Sequence, residues 1–329
     1  MDASATERAA APAARADTRT AGRTAYTRYA WGVLAFTLLV ILWGAFVRAT
    51  GSGAGCGNHW PLCNGEVVPR APALQTLIEL GHRTTSGLAL LLIAGLVVGA
   101  WRGYPRGHPV RWGAALSAVL IVSEALIGAG LVLLEHVAED TSVARGYWVA
   151  GHLVNTFLLV AALSVTAWWA SGGGAPRIRG RAPLAGALLA VSAGVLLLGV
   201  SGAITALGDT LFPTATLAEG KAMTFSETAH VFVRLRVWHP ALAVAIGLAV
   251  LLAAGYATRQ RPLPAVRRCA TALAALWAVQ LVLGAANVYL LAPISLQLAH
   301  LLVSDLIWIA LVLLSASALS THPERVPAS

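Results

Sequence analysis

Glu79-Leu80-Gly81-His82-Arg83 opens a long apolar run that ends near Trp101. Three ionisable side chains thus stand at the head of a segment otherwise fit to cross a membrane. Burying such groups in hydrocarbon costs roughly 2.5–3.5 kcal/mol each at mid-bilayer on insertion scales, less near the interface. They persist only where they face a protein interior, a partner or a cofactor. Glu79 and His82 are three apart and share one helix face. A histidine in a similar setting recurs at His152, His239 and His300. Imidazole carries protons and ligates haem iron, and two histidines on facing helices can clamp one flat macrocycle. A lone intramembrane histidine is often just an interhelical hydrogen-bonder. Four at equivalent positions of a repeat argue for ligands instead. His59, His108, His136, His230 and His322 fall in loops, in the tail or near a helix mouth, and read as solvated.

The elements that must position these side chains are membrane helices. Hydrophobic residues make up 57% of the 329 and charged residues 11%, the balance of an integral membrane protein. The formal charge of +9 comes from arginines spread over short loops, so it reads as a topology signal and not as a nucleic-acid surface. Eight apolar spans are expected, near 30–50, 77–101, 111–134, 146–169, 184–207, 236–256, 268–291 and 295–319. Each has about 20 residues or more, enough to cross a core of roughly 30 Å. Arginines crowd the N-terminal segment and the loops after spans two, four and six. The alternate loops carry Glu66, Glu135, Glu139, Asp140, Asp209, Glu219 and Glu227. The positive-inside rule then puts both termini in the cytoplasm. Each of the four histidines lies a few residues into an outside-to-inside helix, so all sit at similar depth toward the outer face.

The two halves repeat. Glu124-Ala-Leu-Ile-Gly-Ala in the third span matches Gln280-Leu-Val-Leu-Gly-Ala in the seventh, and Trp43-Gly-Ala in the first matches Ser201-Gly-Ala in the fifth. His82 pairs with His239, and His152 with His300. With four spans per half the repeat is parallel, its pseudo-two-fold axis along the membrane normal. The expected fold is all-α: eight transmembrane helices as two related four-helix bundles. A disordered cytoplasmic tail (1–27) leads into an N-terminal half (28–170). A linker (171–183), a C-terminal half (184–320) and a short cytoplasmic tail (321–329) follow.

The halves differ where it matters. Glu79 stands three residues before His82, and Arg236 stands three before His239. This suits a division of labour: a permanent cofactor in the second half and a reacting one in the first. Beside the first site Glu79 can move protons or stabilise positive charge. The plainer alternative is an ion pair with Arg83 or Arg48. Cys56 and Cys63, in the first outer loop, have a spacing that suits a small disulfide loop in an oxidising compartment. Such a pair can be a staple or an electron relay, and both readings stay open. Two thiols and one histidine are a poor zinc set.

Taken together, these residues resemble the haem A synthase family over about 28–320. That family has eight helices in two halves, a histidine on each even-numbered helix, a glutamate three before the first histidine and, in one class, a cysteine pair in the first outer loop. The resemblance implies a bacterial plasma-membrane oxidoreductase that converts the C8 methyl of haem O to a formyl group, giving haem A for cytochrome oxidase. Hydroxylation to a gem-diol and loss of water would accomplish this. By resemblance, His239 and His300 ligate a resident haem b, His82 and His152 bracket the substrate haem O, and Glu79 is the catalytic acid or base. Cys56 and Cys63 form the disulfide. The implied partners are haem O, an upstream haem O synthase, membrane lipid and an electron donor the sequence does not name, with homo-oligomerisation left open. One departure is visible. Some relatives have a second cysteine pair in the outer loop of the second half, and residues 208–236 contain none. The rival reading is a bis-histidine dihaem cytochrome passing electrons from a quinol, which has no need of the Glu79/Arg236 asymmetry. A parallel-repeat transporter would require helices broken at mid-membrane, and these spans read as continuous.

Overall fold

The computed structural model describes residues 3–321, with side chains from Gly22 onward. Eight long apolar helices cross the slab: α1 (Ala3–Ala49, apolar from Gly22), α2 (Leu74–Gly103), α3 (Pro109–Leu133), α4 (Val143–Ala170), α5 (Ala182–Leu211), α8 (Trp238–Gln260), α9 (Pro264–Tyr289) and α10 (Ile294–Ala318). Two short helices, α6 (Leu217–Thr224) and α7 (Val231–Leu235), fill the connection between α5 and α8. Among the described residues no strand forms, and the protein is an all-α multi-pass membrane protein. The expected tails lie mostly outside the described side chains. Tyr26 and Thr27 are an exception: they belong to α1, where Tyr26 donates to the Leu96 carbonyl and Thr27 to that of Ala170.

Local sequence explains the helix starts. Pro109, Pro183 and Pro264 occupy the first turn of α3, α5 and α9, where a missing N–H costs nothing. His108 caps α3 by accepting from the Val110 N–H, and Ser142 caps α4 by accepting from Arg145. The outward faces stay apolar: Leu39, Leu91, Val119, Leu189 and Val282 are exposed, as suits helices solvated by lipid.

In the first half α1 packs on α2 and α4, and α3 on α2 and α4, which closes a ring. In the second, α5, α8, α9 and α10 close another. Contacts of α4 with α5 and α10, and of α1 with α10, join the two. At that seam the Phe157 and Trp308 rings stack 5.5 Å apart, and Trp308 Nε1 donates to the Phe157 carbonyl at 2.7 Å. Nearer one end, the Arg48 guanidinium crosses between the halves. It donates to the Ala206 carbonyl, the Thr210 hydroxyl and the Gln297 side-chain carbonyl, at 2.7–3.0 Å.

Trp308 is 4% exposed, so Trp308→Ala is expected to cost about 3–5 kcal/mol through the cavity and the lost hydrogen bond. Thermal unfolding in detergent should show a clearly lowered midpoint. Trp308→Phe, which keeps the stack and drops only the hydrogen bond, should lower it less.

Candidate functional site

The four histidines of the even-numbered spans share one local construction. Each imidazole lies against a glycine of the helix that precedes it in the fold. A β-carbon placed on Gly44 of α1 would stand 2.8 Å from His82 Cε1, and one on Gly202 of α5 would stand 3.0 Å from His239 Cε1. At Gly284 of α9 the distance to His300 Cε1 is 3.3 Å, and at Gly128 of α3 it is 3.8 Å to His152 Cε1. At Gly44, Gly202 and Gly284 the absent side chain is therefore the space in which the ring sits, while at Gly128 a β-carbon would stand in ordinary contact with the ring. The Gly-Ala pairs at 44–45, 128–129, 202–203 and 284–285 mark all four places. Sequence comparison of the halves aligned these pairs, but nothing in the spacing tied each glycine to its histidine.

The rings are grouped two per half. His239 and His300 face each other with ring centres 6.4 Å apart and planes at 70°. His82 and His152 are near enough to interact electrostatically. Nδ1 of His82, His152 and His300 is buried without a hydrogen-bond partner, whereas His239 Nδ1 is 2.8 Å from Ser201 Oγ. Among the described residues no three His, Cys, Asp or Glu side chains converge on one metal. The donor sets are pairs of imidazoles. Two imidazoles bonded through nitrogen to one metal between them, with bonds of about 2 Å as in zinc sites, have ring centres about 6 Å apart. The His239–His300 pair fits that spacing, and a six-coordinate iron in a flat macrocycle accepts such axial donors.

Above each first histidine of a half, the residue three before it ties down the end loop. Glu79 is 3% exposed. Its Oε2 accepts the Cys56 N–H at 2.8 Å, and its Oε1 pairs with Arg83 at 2.5 Å. Arg83 in turn donates to the carbonyls of His59 and Leu62, both at 2.7 Å. The two residues thus clamp the loop closed by the Cys56–Cys63 disulfide. The ion pair open to Glu79 is made with Arg83; Arg48 is occupied elsewhere. In the second half Arg236 does the corresponding work with opposite charge. It reaches Asp209 (3.2 Å), the Gly220 carbonyl (2.7 Å) and Thr224 Oγ1 (2.6 Å), pinning α6. His230 caps α7 by accepting from the Phe232 N–H and stacks on Phe212. This network orders residues 212–237, which have no cysteine pair.

Three of the histidines expected to be merely solvated have structural duties. His108 and His230 cap helices, and His136 pairs with Asp140 at 2.8 Å. Burial pushes the Asp140 carboxyl up, but the Ser142 N–H, His136 and the Ser142 hydroxyl outweigh it and hold it below the usual range. The stability this anchor contributes is present above the ordinary Asp range and is lost as pH falls through the lowered value. His59 lends its carbonyl to Arg83, and His322 lies outside the described residues. A polar residue the sequence reading passed over is Glu124 on α3. Its Oε1 is 3.3 Å from His152 Nδ1, and its Oε2 accepts from Asn155 at 2.6 Å.

Comparison with known proteins places this geometry. A family model described as "Cytochrome oxidase assembly protein", COX15-CtaA, matches residues 27–312. A protein named protoheme IX farnesyltransferase, from Thermus thermophilus, is 50% identical over 298 residues, which is 91% of this chain and 49% of that protein. The chain therefore spans about half the length of this relative. Heme A synthases of Bacillus cereus and Bacillus anthracis are 48% identical over 96 residues, 29% of this chain and 31% of theirs.

Glu79→Ala removes the acceptor of the Cys56 N–H. A hydrogen bond to a charged group contributes about 1.5–3 kcal/mol, so hydrogen exchange at the Cys56 amide should speed up at least about tenfold. Arg83→Ala should loosen residues 59–62 in the same measurement and leave 217–224 protected.

Proposed function

The chain belongs to the cytochrome oxidase assembly family described by COX15-CtaA, and we propose that it is a haem A synthase, an oxidoreductase that converts the C8 methyl of haem O to a formyl group. The observation that carries this reading is the repeated seat: a histidine on each even-numbered span, packed on a glycine of a neighbouring helix, two per half. In this reading the N-terminal half, 28–170, takes the substrate, with His82 and His152 bracketing its iron. The C-terminal half, 184–320, holds haem b between His239 and His300. A bound haem b would supply single-electron transfer to and from the substrate half.

The chain's own residues do the rest. Gly44, Gly202 and Gly284 leave room for the rings of His82, His239 and His300. Oxidation of a methyl carbon to a formyl carbon breaks C–H bonds and moves protons, and Glu79, one turn before His82, is the buried carboxylate of the same helix placed to exchange them. Its bonds to Cys56 and Arg83 hold it in position and tie down the Cys56–Cys63 loop beside it. The sites lie toward the end of the slab that carries this loop, which loop charge assigns to the outside of the cell membrane.

The relative named for farnesyl transfer supports the same pathway logic. Its name describes attachment of a farnesyl group to protohaem, the kind of reaction that makes a farnesylated haem available as substrate. It is about twice as long as the segment it shares with this chain, so that activity can reside in its other part. An upstream haem-farnesylating enzyme is accordingly the partner we expect.

Acid-acetone extraction of the purified protein, from cells that also make haem O, tests the reading. Haem b together with haem O or haem A is expected. Two equivalents of haem b alone, with haem O available, would instead mark an electron-transfer cytochrome, and farnesylation of added haem b would mark a transferase. Absence of any haem would return the histidines to structural duty. Glu79→Gln should keep its haem and lose about 10²–10⁴-fold in haem A formation, while Gly202→Val, which fills the seat of His239, should lose the haem b of the second half.

A further inference from the structure

Glu124 lies in the interior of a membrane-spanning helix and is absorbed by none of the roles above. Its surroundings are built. Oε2 accepts from Asn155 Nδ2 at 2.6 Å, and Thr156 Oγ1 donates to Oε1 in a short contact. Asn155 is itself fixed by Ser123, which donates to its Oδ1 at 2.7 Å, and by the Leu120 carbonyl. His152 Nδ1 stands 3.3 Å from the same Oε1, within ion-pair range though short of hydrogen-bond geometry. Two side chains of α4, one of them steadied by Ser123 of α3, thus hold the carboxylate beside the ring of His152.

The second half has the same register without the same chemistry. The position matching Glu124 is Gln280, one turn before Gly284 as Glu124 is one turn before Gly128. Those matching Ser123, Asn155 and Thr156 are Val279, Val303 and Ser304. Gln280 Oε1 and His300 Nδ1 are both buried without partners. A carboxyl group held by two hydrogen bonds thus faces one histidine, and an amide without that scaffold stands at the matching position of the second half.

We propose that Glu124 is a positioning residue for His152: its carboxylate holds Nδ1, leaves Nε2 as the donor to iron, and makes that imidazole the more electron-rich ligand of the two halves. A carboxylate behind a ligating imidazole fixes the tautomer and raises the basicity of the ligand. A more basic ligand favours the ferric state, so an iron held by His152 has a lower reduction potential than it would behind an amide. The substrate half is thereby biased toward giving up electrons, and the Gln280 half toward receiving them. This rests on the reading that His82 and His152 take a haem iron.

The test uses the full-length protein in detergent, loaded with haem b as the probe for both sites, and reads midpoint potentials and low-spin ferric electron paramagnetic resonance. Glu124→Gln is expected to raise one of the two potentials and alter one of the two signals. Gln280→Glu is expected to lower the other potential. If both variants bind two haems and keep wild-type potentials and signals, Glu124 only ties α3 to α4, and the proposal is overturned. Should Glu124→Gln fail to accumulate, Asn155→Ala and Thr156→Val, which release the carboxylate without removing it, decide: wild-type potentials and signals in both would overturn the proposal. A wild-type protein that takes up a single haem, in the second half, would sink the ligand assignment of His82 and His152 itself, a result distinct from two unmoved potentials.

Discussion

An imidazole placed inside an apolar slab needs somewhere to put both its ring and its nitrogens. The ring is accommodated by deletion at three of the four histidines, where Gly44, Gly202 and Gly284 give up side-chain volume to His82, His239 and His300; Gly128 lies in ordinary contact distance of His152. The nitrogens are accommodated unevenly. Ser201 serves His239 and Glu124 stands by His152, while His82 and His300 have an Nδ1 with no protein partner. Unpaired buried polar atoms are costly, and the two halves differ in where that cost falls: His82 bears it in the first, whereas its counterpart His239 is relieved by Ser201. The helix crossings, the choice of small residues at them and the loops closing the ends all follow from keeping these rings in place.

The two halves solve one mechanical problem with opposite charges. A loop must be fastened over the first histidine of each half. In one half a carboxylate does it through a backbone N–H and a neighbouring guanidinium. In the other a guanidinium does it through one carbonyl, a hydroxyl and a carboxylate. A carboxylate beside one site and a guanidinium beside the other give the pockets different electrostatics, while the backbone stays similar. Glu79 therefore has two duties that any substitution perturbs together, and the Arg83 substitution separates them because it loosens the loop and leaves the carboxylate.

Much of this was legible in the sequence, for physical reasons. Apolar runs longer than the bilayer core point to the eight spans, and their limits differ from the observed ones by at most five residues except at the first, whose apolar segment begins at Gly22, eight residues before the expected start. The histidines stood out because ionisable groups in such runs are expensive. The sixth span was expected from 236, close to the start of α8 at Trp238, but the short helix α7 before it was not legible. Nor was the ordering of residues 212–237, because it depends on one guanidinium reaching groups up to 27 positions away. The Gly-Ala pairs were visible as a repeat, but their meaning needed three dimensions: sequence shows that a side chain is missing and not what occupies its place. Glu124 was quoted only as a repeat marker. Its partners, Asn155 and Thr156, lie on the next helix, and only packing brings them together.

Arg48 carries a consequence for how the molecule comes together. Its hydrogen-bond acceptors are on α5 and α10, both made later than the first four helices. Until the last helix arrives, the guanidinium at the end of α1 has part of its donor set unmatched and must stay near the watery rim. Closure of the seam between the halves is thus timed by synthesis of the final span, and a ribosome that stops before α10 leaves the first four-helix ring with an unsatisfied cation on its flank. The counterpart of Arg48 in the repeat is Ala206, so the clamp exists once. Two copies of the first half could not close on each other in this way, which fixes the pairing as first half with second.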